Sequence, residues 1–540
     1  MKLARGAENK EATMSRASKR MNPVAAAGAT VPAGATTVPL VQTSLAPNLN
    51  LIGGKWVPAA KGETFQDRNP ANTDELIGVY PRSREADIAA AVAAAKQAFE
   101  SWRLVPAPQR GALLRKCGDI LAQRKEELSV MMAREMGKPL VEARGDVQEA
   151  IDCANLYAGM GRLIHGQTLP SELPDKFAMT VRRPVGVCGL ITPWNFPIAI
   201  PSWKTFPALL CGNTVVLKAA EDSPACAAAF YKVIQDAGVP DGVVNLVQGF
   251  GEEAGVALVA NPDVALISFT GSTQTGALIA AACGATHKRC ALEMGGKNAQ
   301  IVMDDADLDL AHEGALWGAF ATAGQRCTAT SRLLLHKKIY KIFLAKLVKS
   351  AQELKVGDPL DPKAHIGPLV NDAQRERVTG FVRLGVDEGA TLLCGGKAPV
   401  GRGMMRGFFF EPTIFSAVKP TMRIAQEEIF GPVLSVIQID SFEEAVSILN
   451  NTPYGLSSSL YTKNIDRAFR AMRDFDTGIT YINGPTIGAE VHLPFGGVKQ
   501  TGNGHREAGE TVLDIFSEWK SCYVDFSGKL QKAQIDVTAG

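Results

Sequence analysis

From Val185 onward the chain alternates short, almost wholly apolar runs with helical segments: Val185 to Ile191, Thr214 to Leu217, Val243 to Val247 and Ala265 to Phe269. A strand with one face in water alternates apolar and polar side chains, so a continuous apolar run must be covered on both faces. Such runs separated by helices predict a parallel sheet between helical layers, with ligands at the carboxyl ends of the strands. A second alternation after Glu293 passes through Lys297 to Val302, Leu333 to His336 and Val433 to Ile437. It predicts a second domain of the same class, and 540 residues are too many for one core. The fold class is therefore α/β, with two doubly wound parallel-sheet domains.

Charge and cysteine usage narrow the function. Fifty-seven Lys and Arg against 55 Asp and Glu leave +2, with no block of like charge suited to a nucleic-acid surface. The ten cysteines contain no CxxC pair, and the seven histidines form no HExxH or similar cluster. This argues against a disulfide framework and a metal site, and favours a reducing cytoplasm. Two long uncharged runs, Met21 to Gly54 and Pro184 to Trp203, are poor membrane spans. The first is rich in Ala, Thr, Pro and Gly, and the second is broken by Pro184, Pro193, Pro197 and Pro201. The first twenty residues are basic, the next twenty-five are low in complexity, and no apolar signal core follows. A disordered extension over 1–45 is expected, from a start at Met1 upstream of Met14 and Met21.

Folded sequence is expected to begin with a hairpin at Leu51-Ile52-Gly53-Gly54-Lys55-Trp56-Val57. Two or three helices follow. Ile88, Val92, Ala95 and Phe99, then Leu114, Cys117, Leu121, Leu128 and Met132, recur at helical spacing before a stop at Gly137-Lys138-Pro139.

Chemistry-bearing residues gather where strands are expected to end. Thr192-Pro193-Trp194-Asn195-Phe196-Pro197 sets an amide in a rigid turn, where its NH2 can donate to a developing oxyanion or form an Asx-turn. Lys218 and Glu221 sit where a cation and a carboxylate can hold ribose hydroxyls, just before Ser223 and Pro224, read as N-cap and first residue of a helix. Gly249-Phe250-Gly251 and Gly271-Ser272-Thr273-Gln274-Thr275-Gly276 let backbone approach a phosphate, though a tight turn alone accounts for either. Glu293 lies in Leu292-Glu293-Met294-Gly295-Gly296-Lys297-Asn298, and Cys327 in Gly324-Gln325-Arg326-Cys327-Thr328. A thiol with an ordinary pKa is only about one-tenth ionised near pH 7.5. A site that uses Cys327 as a nucleophile must raise that fraction, whereas an isolated cysteine is more often a small buried hydrophobe.

These motifs, together with Glu428-Ile429-Phe430-Gly431-Pro432 and Pro494-Phe495-Gly496-Gly497, stand in an order that strongly resembles the aldehyde dehydrogenase superfamily over residues 50–525. The resemblance implies a dinucleotide-binding domain over 46–164 and 185–293, and a catalytic domain over 294–511. A small β oligomerisation flap over 165–184 and 512–530 would form a homodimer or homotetramer. It implies that Cys327 attacks an aldehyde, that Asn195 and the Cys327 N–H hold the oxyanion, and that Glu293 activates water to hydrolyse the thioester. Lys218 and Glu221 would hold the adenosine ribose, Gly271 and Ser272 the pyrophosphate, and Glu428 the nicotinamide ribose beside Phe430. Ile191, Trp194 and Gly251 complete the implied cofactor surface. A carboxylate at Glu221 favours NAD over NADP, because it accepts bonds from a free 2′-hydroxyl and repels a 2′-phosphate.

The implied substrate is a small aldehyde. Trp203 stands six residues past Pro197, where the succinic semialdehyde branch commonly carries a basic residue, whereas Pro197 to Lys204 resembles branches acting on α-ketoglutaric semialdehyde. Glu490, His492 and Lys499 are expected near the pocket mouth. Two alternatives are CoA-acylating oxidation, whose relatives usually lack the glutamate present at 293, and a silent structural protein, which should have lost one of Cys327, Glu293 and Asn195.

Overall fold

A computed structural model describes residues 46–401 and 403–537; the extension expected over 1–45 lies outside the described residues. Two seven-stranded sheets organise them. In the first, Arg289–Glu293, Val264–Thr270, Val187–Ile191, Thr214–Lys218 and Val244–Val247 run parallel in that spatial order. Thr214–Lys218 and Val244–Val247 are buried at every position, as their apolar sequence requires. The expected hairpin forms from Asn50–Ile52 and Lys55–Val57, and it extends this sheet through an antiparallel pairing of Leu51 with Leu246.

Chain order fixes where this sheet opens. From Val187–Ile191 the strands progress outward to Thr214–Lys218 and Val244–Val247, then return to the other flank at Val264–Thr270. The crossovers leave in opposite directions between Val187–Ile191 and Val264–Thr270, so a crevice lies beyond their carboxyl ends. Asn195 follows one of these strands and Ser272 the other.

The second sheet has the order Thr391–Cys394, Thr413–Ser416, Val433–Ile439, Arg332–His336, Ala299–Val302, Ser457–Tyr461 and Ile479–Ile482. All its pairings are parallel except that of Thr391–Cys394 with Thr413–Ser416. Only Met294 to Asn298 joins Arg289–Glu293 in one sheet to Ala299–Val302 in the other, so this short link crosses from one core to the next.

Three helices precede Gly137: Glu85–Trp102, Ala107–Gln123 and Lys125–Met136. Gly137 takes φ +80°, the left-handed turn that ends the third. A fourth, Leu140–Met160, follows at once and packs against Ala107–Gln123, Lys125–Met136 and the buried helix Ala199–Cys211. An unanticipated hairpin pairs Thr64–Arg68 with Leu76–Pro81. Thr168–Leu169, Lys176–Pro184 and Ser517–Asp525 form a separate three-stranded antiparallel ribbon. Among the described residues no helix is long and apolar enough to cross a membrane, and no group of three or more His, Cys, Asp or Glu could hold a metal ion.

Candidate active site

Cys327 follows a strained turn. Thr322, Ala323 and Gly324 take φ of +52°, +54° and +68°, left-handed values that cost free energy for the first two. The turn is held from several sides. The Thr322 N–H and hydroxyl both donate to Glu142, and Gln325 Nε2 donates to the carbonyls of Thr322 and Pro368. A Cβ at Gly324 would collide with the Gly431 carbonyl, so only glycine lets the loop pass there. Beyond the thiol, Asn298 Nδ2 donates to the carbonyls of Cys327 (2.7 Å) and Ala329 (2.9 Å), while its Oδ1 accepts from the Ser457 N–H. The nucleophile segment is thereby fixed to the inter-sheet link and to the second sheet.

A cleft of about 110 Å³ opens over Cys327, lined by Phe196, Ile200, Trp203, Thr270, Glu293, Arg326, Phe495 and Glu507 among others. Trp203 and Phe495 meet edge to face with ring centroids 5.0 Å apart and form its apolar side. Among the cleft-lining residues, Thr270 Oγ1 is buried without a hydrogen-bond partner and the Glu293 carboxyl has at most the Gly497 N–H beside it, while Asn195 Oδ1, next to the Cys327 segment, is also unpartnered. Native interiors rarely leave such groups unpaired, so they mark a site built for polar reactants. Asn195 Nδ2 donates one hydrogen to the Gln325 carbonyl at 3.1 Å, which orients the amide and leaves its second hydrogen for another acceptor.

The electrostatics depart from the requirement for a ready thiolate. Burial, then the carboxyls of Glu428 and Glu293, push the Cys327 thiol up to about 12, against the smaller pull of backbone N–H groups at Thr328 and Cys327. Burial and the neighbouring Glu507 raise Glu293 well above the carboxylate range, although Lys204 and Arg506 oppose them. In this state both groups hold their protons at neutral pH. Lys204 is ion-paired with Glu507 in the buried layer beside Glu293, and its Nζ also donates to Ser268 Oγ at 3.0 Å. Thr270, Lys204 and Glu507 were not singled out in the sequence. Lys204 had a signal, being the charged residue inside the apolar helix Ala199–Cys211, but Glu507 had none.

The positions expected to hold a cofactor gather around the crevice. Lys218 Nζ lies 2.7 Å from Glu221 Oε2, with the lysine buried and the carboxylate one-third exposed. Ser272 caps helix Thr273–Gly284 by accepting from the Thr275 N–H at 3.2 Å. The space before Gly251 is open, since a Cβ there would meet nothing within 4 Å. Trp194, after strand Val187–Ile191, meets Phe430 edge to face at 5.5 Å. Glu428 Oε1 accepts from the Gly296 N–H at 3.1 Å, and burial pushes its carboxyl up to about 7. A helix N-terminus, an open glycine and carboxylates near the strand ends are groups of the kind that a dinucleotide's phosphates and ribose hydroxyls need.

Two expectations need correction. Ser223 occupies the N-cap position, but its side chain makes no capping bond. The Glu135 carboxylate does that work, accepting from the N–H groups of Ala225 (2.5 Å) and Cys226 (2.9 Å). Glu490, His492 and Lys499 do not line the cleft, which is closed there by Gly488, Ala489 and Phe495. Glu490 and His492 lie 3.6 Å apart with both side chains exposed, and Lys499 is held by Asp476 and the Asn450 carbonyl.

The match to known proteins spans this whole arrangement. A model described as "Aldehyde dehydrogenase family" matches residues 56–522. The α-ketoglutaric semialdehyde dehydrogenase of Bacillus subtilis is 41% identical over 476 residues, 88% of this chain and 98% of that protein. The α-ketoglutarate semialdehyde dehydrogenase of Haloferax volcanii is 41% identical over 478 residues, 88% of this chain and 99% of that protein. Among solved structures, betaine aldehyde dehydrogenase from Staphylococcus aureus in complex with NAD+ superposes with a TM-score of 0.88 at 33% identity, covering 90% of this chain and 96% of that one. Motif order, two-sheet architecture and full-length similarity agree, and the chain belongs to the aldehyde dehydrogenase family.

Proposed function

We propose that this protein oxidises a small aldehyde to its carboxylic acid with NAD, through covalent bonding to Cys327, and that the aldehyde is a semialdehyde of the α-ketoglutaric type. The observation that carries this is the cleft over Cys327, whose wall includes Glu293, while Asn195, anchored to the Gln325 carbonyl two residues before the thiol, keeps one amide hydrogen for another acceptor. NAD, when bound, supplies the acceptor for the hydride and a positively charged ring. Lys218 and Glu221 would hold one ribose, Gly271 and Ser272 the pyrophosphate, and Glu428 the other ribose, with Ile191, Trp194, Gly251 and Phe430 as walls. By the same reading 46–164 with 185–293 form the nucleotide domain, 294–511 the catalytic domain, and 165–184 with 512–530 an oligomerisation flap. The semialdehyde is supported by the two 41% identical relatives.

The chain's own residues divide the chemistry as follows. Cys327 Sγ, after losing its proton, bonds to the aldehyde carbon as the carbonyl electron pair moves to oxygen. The free Asn195 Nδ2 hydrogen and the Cys327 N–H face that oxyanion, each such donor contributing about 3 to 4 kcal/mol. Loss of hydride leaves a thioester on Sγ. Glu293, once ionised, takes a proton from water as the water oxygen attacks the thioester carbon; the C–S bond breaks, giving carboxylic acid and thiol. Because Cys327 and Glu293 are both held protonated, turnover rises as pH increases from 7 to 9.

The test is NADH formation over aliphatic, aromatic and ω-carboxylic aldehydes with both nucleotides. Activity in the wild type, none in Cys327→Ala, and higher kcat/KM with NAD than NADP are expected. NADH formation by Cys327→Ala would refute the covalent route.

A further inference from the structure

Among the described residues lining the cleft over Cys327, Glu149, Glu293 and Glu507 are the acids, and Arg326, the residue before the thiol, is the cation. Two further cations lie close by but are sealed. Lys138 and Lys204 have no exposed side-chain surface, and each is ion-paired, Lys138 with Asp146 at 2.8 Å and Lys204 with Glu507. Arg326 keeps 15% of its side chain exposed, whereas its partner Glu142 is buried.

A guanidinium offers five N–H donors in a planar fork. One edge is in use here: Nε donates to Thr322 Oγ1 at 3.0 Å and Nη2 to Glu142 Oε2 at 2.6 Å. Since the Thr322 N–H and hydroxyl also donate to that carboxylate, this edge fixes the guanidinium to the strained turn that presents Cys327. The ring centroids of Phe196 and Trp317 lie 5.2 and 5.6 Å from Arg326 Cζ, which steadies its plane. The other edge, formed by Nη1 and the second hydrogen of Nη2, has no acceptor among the described residues. Phe196 and Glu149 stand beside Arg326 and line the same cleft, so this edge borders it. No hydrogen bond or ion pair joins Glu149, on helix Leu140–Met160, to Arg326. Burial, then Asp146, push the Glu149 carboxyl up to about 8, so near neutral pH it does not oppose a second carboxylate there.

We propose that Arg326 selects aldehydes with a carboxylate at the far end: its free edge, Nη1 with Nη2, donates two hydrogen bonds to that carboxylate while the carbonyl carbon lies at Cys327 Sγ. This rests on the aldehyde oxidation proposed above and names the group that recognises the substrate's far end. The planar fork matches a carboxylate bidentately, and hydrogen bonds between charged partners are the stronger kind. Arg326 and Cys327 are neighbours in the chain, so a short ω-carboxylic aldehyde bridges them, with Trp203 and Phe495 against its methylene groups. The contact is made in the bound substrate and in the transition state alike, so it acts on KM rather than kcat.

The experiment measures kcat and KM, with NAD at neutral pH, for α-ketoglutaric semialdehyde and its methyl ester, which differ in the charge of the far end. Wild type is expected to favour the acid by about 10- to 100-fold in kcat/KM, the scale of one charged hydrogen-bonded contact. In Arg326→Gln that preference should vanish, mainly through a raised KM for the acid. Arg326→Lys, which keeps the charge, should retain part of it. The acid-to-ester ratio cancels any loosening of the Cys327 turn, because both substrates depend on it. A wild type that ignores the charge or favours the ester would overturn the proposal, and that comparison needs no variant. So would an undiminished preference in Arg326→Gln, or as complete a loss in Arg326→Lys, where the charge would be present without effect. If wild type forms no NADH from either compound or from any other aldehyde, the oxidation reading itself fails, a separate outcome.

Discussion

Lys297 Nζ is buried without a hydrogen-bond partner in the link between the two sheets. Burial, then the neighbouring Arg332, lower its ammonium to about 7 despite Glu428 and Glu427 nearby. An unfolded lysine titrates near 10.4, so between pH 7 and 10.4 the unfolded chain binds more protons than the folded one. Stability therefore rises with pH across that window, and below pH 7 the folded state carries a buried, unpaired charge. Lys297→Met keeps the shape and removes the charge. It is expected to stabilise the protein by about 1 to 3 kcal/mol below pH 7, with the gain fading toward pH 10. Thermal unfolding at pH 6.5 and 9.5 decides this, and an equal shift at both would exclude the charge as the cause. Glu293→Gln tests the neighbouring carboxyl by kinetics. Acylation should still give a burst of NADH near one per site, while steady acid release falls about 10²- to 10⁴-fold. A proportional loss of burst and steady rate would place Glu293 elsewhere in the cycle. Cys327, Glu293 and Asn195 were named through the ordered motifs that carry the family resemblance, since by local chemistry alone an amide in a turn or a lone cysteine has an ordinary structural reading. Thr270, Glu507 and Glu149 could not be, since each is an ordinary residue of its strand, loop or helix until the fold turns it toward the cleft.

At the scale of elements, apolar runs located the parallel strands, because a strand covered on both faces has no alternative composition. Val187–Ile191 and Val433–Ile439 lie where those runs predicted them. The Thr64–Arg68 hairpin escaped notice, since its mixed polar sequence carries neither period. The helix start at Pro224 was read correctly and its cap was not: a capping box is local in sequence, whereas Glu135 arrives from ninety residues away. Arg332 shows the same dependence on distant partners. Its buried guanidinium donates to the carbonyls of Lys297 (2.9 Å), Ile448 (2.9 Å) and Leu449 (3.1 Å). It thereby ties strand Arg332–His336 to the last turn of helix Phe442–Asn450, where unpaired carbonyls make a cation favourable. Arg332→Met would leave three buried carbonyls without donors and is expected to cost about 3 kcal/mol or more. A thermal midpoint within a degree of wild type would show that water or rearrangement replaces those bonds.

For the whole molecule, the ribbon of Thr168–Leu169, Lys176–Pro184 and Ser517–Asp525 has the least core of its own. Antiparallel register places Phe177 opposite Val524 and Val181 opposite Lys520, so these pairs share one face. On that face Phe177, Val181 and Val524 are 45%, 37% and 50% exposed, and on the other Trp519 and Tyr523 are 49% and 66% exposed. A three-stranded ribbon with large apolar groups bared on both faces suits cover by a second copy of the chain, which is what the proposed oligomerisation flap requires. In a two-fold interface each substitution is felt twice. Fully removing one such side chain from burial costs about 1.5 to 3 kcal/mol. Phe177→Asp with Val524→Asp should therefore weaken association by about 6 kcal/mol or more, upward of four decades in Kd. Sedimentation velocity at micromolar concentration should show wild type as a dimer or tetramer and the double variant as a smaller species, with matching far-UV circular dichroism. A monomeric wild type, or an unchanged sedimentation coefficient in the variant, would show that this face is not what joins the copies.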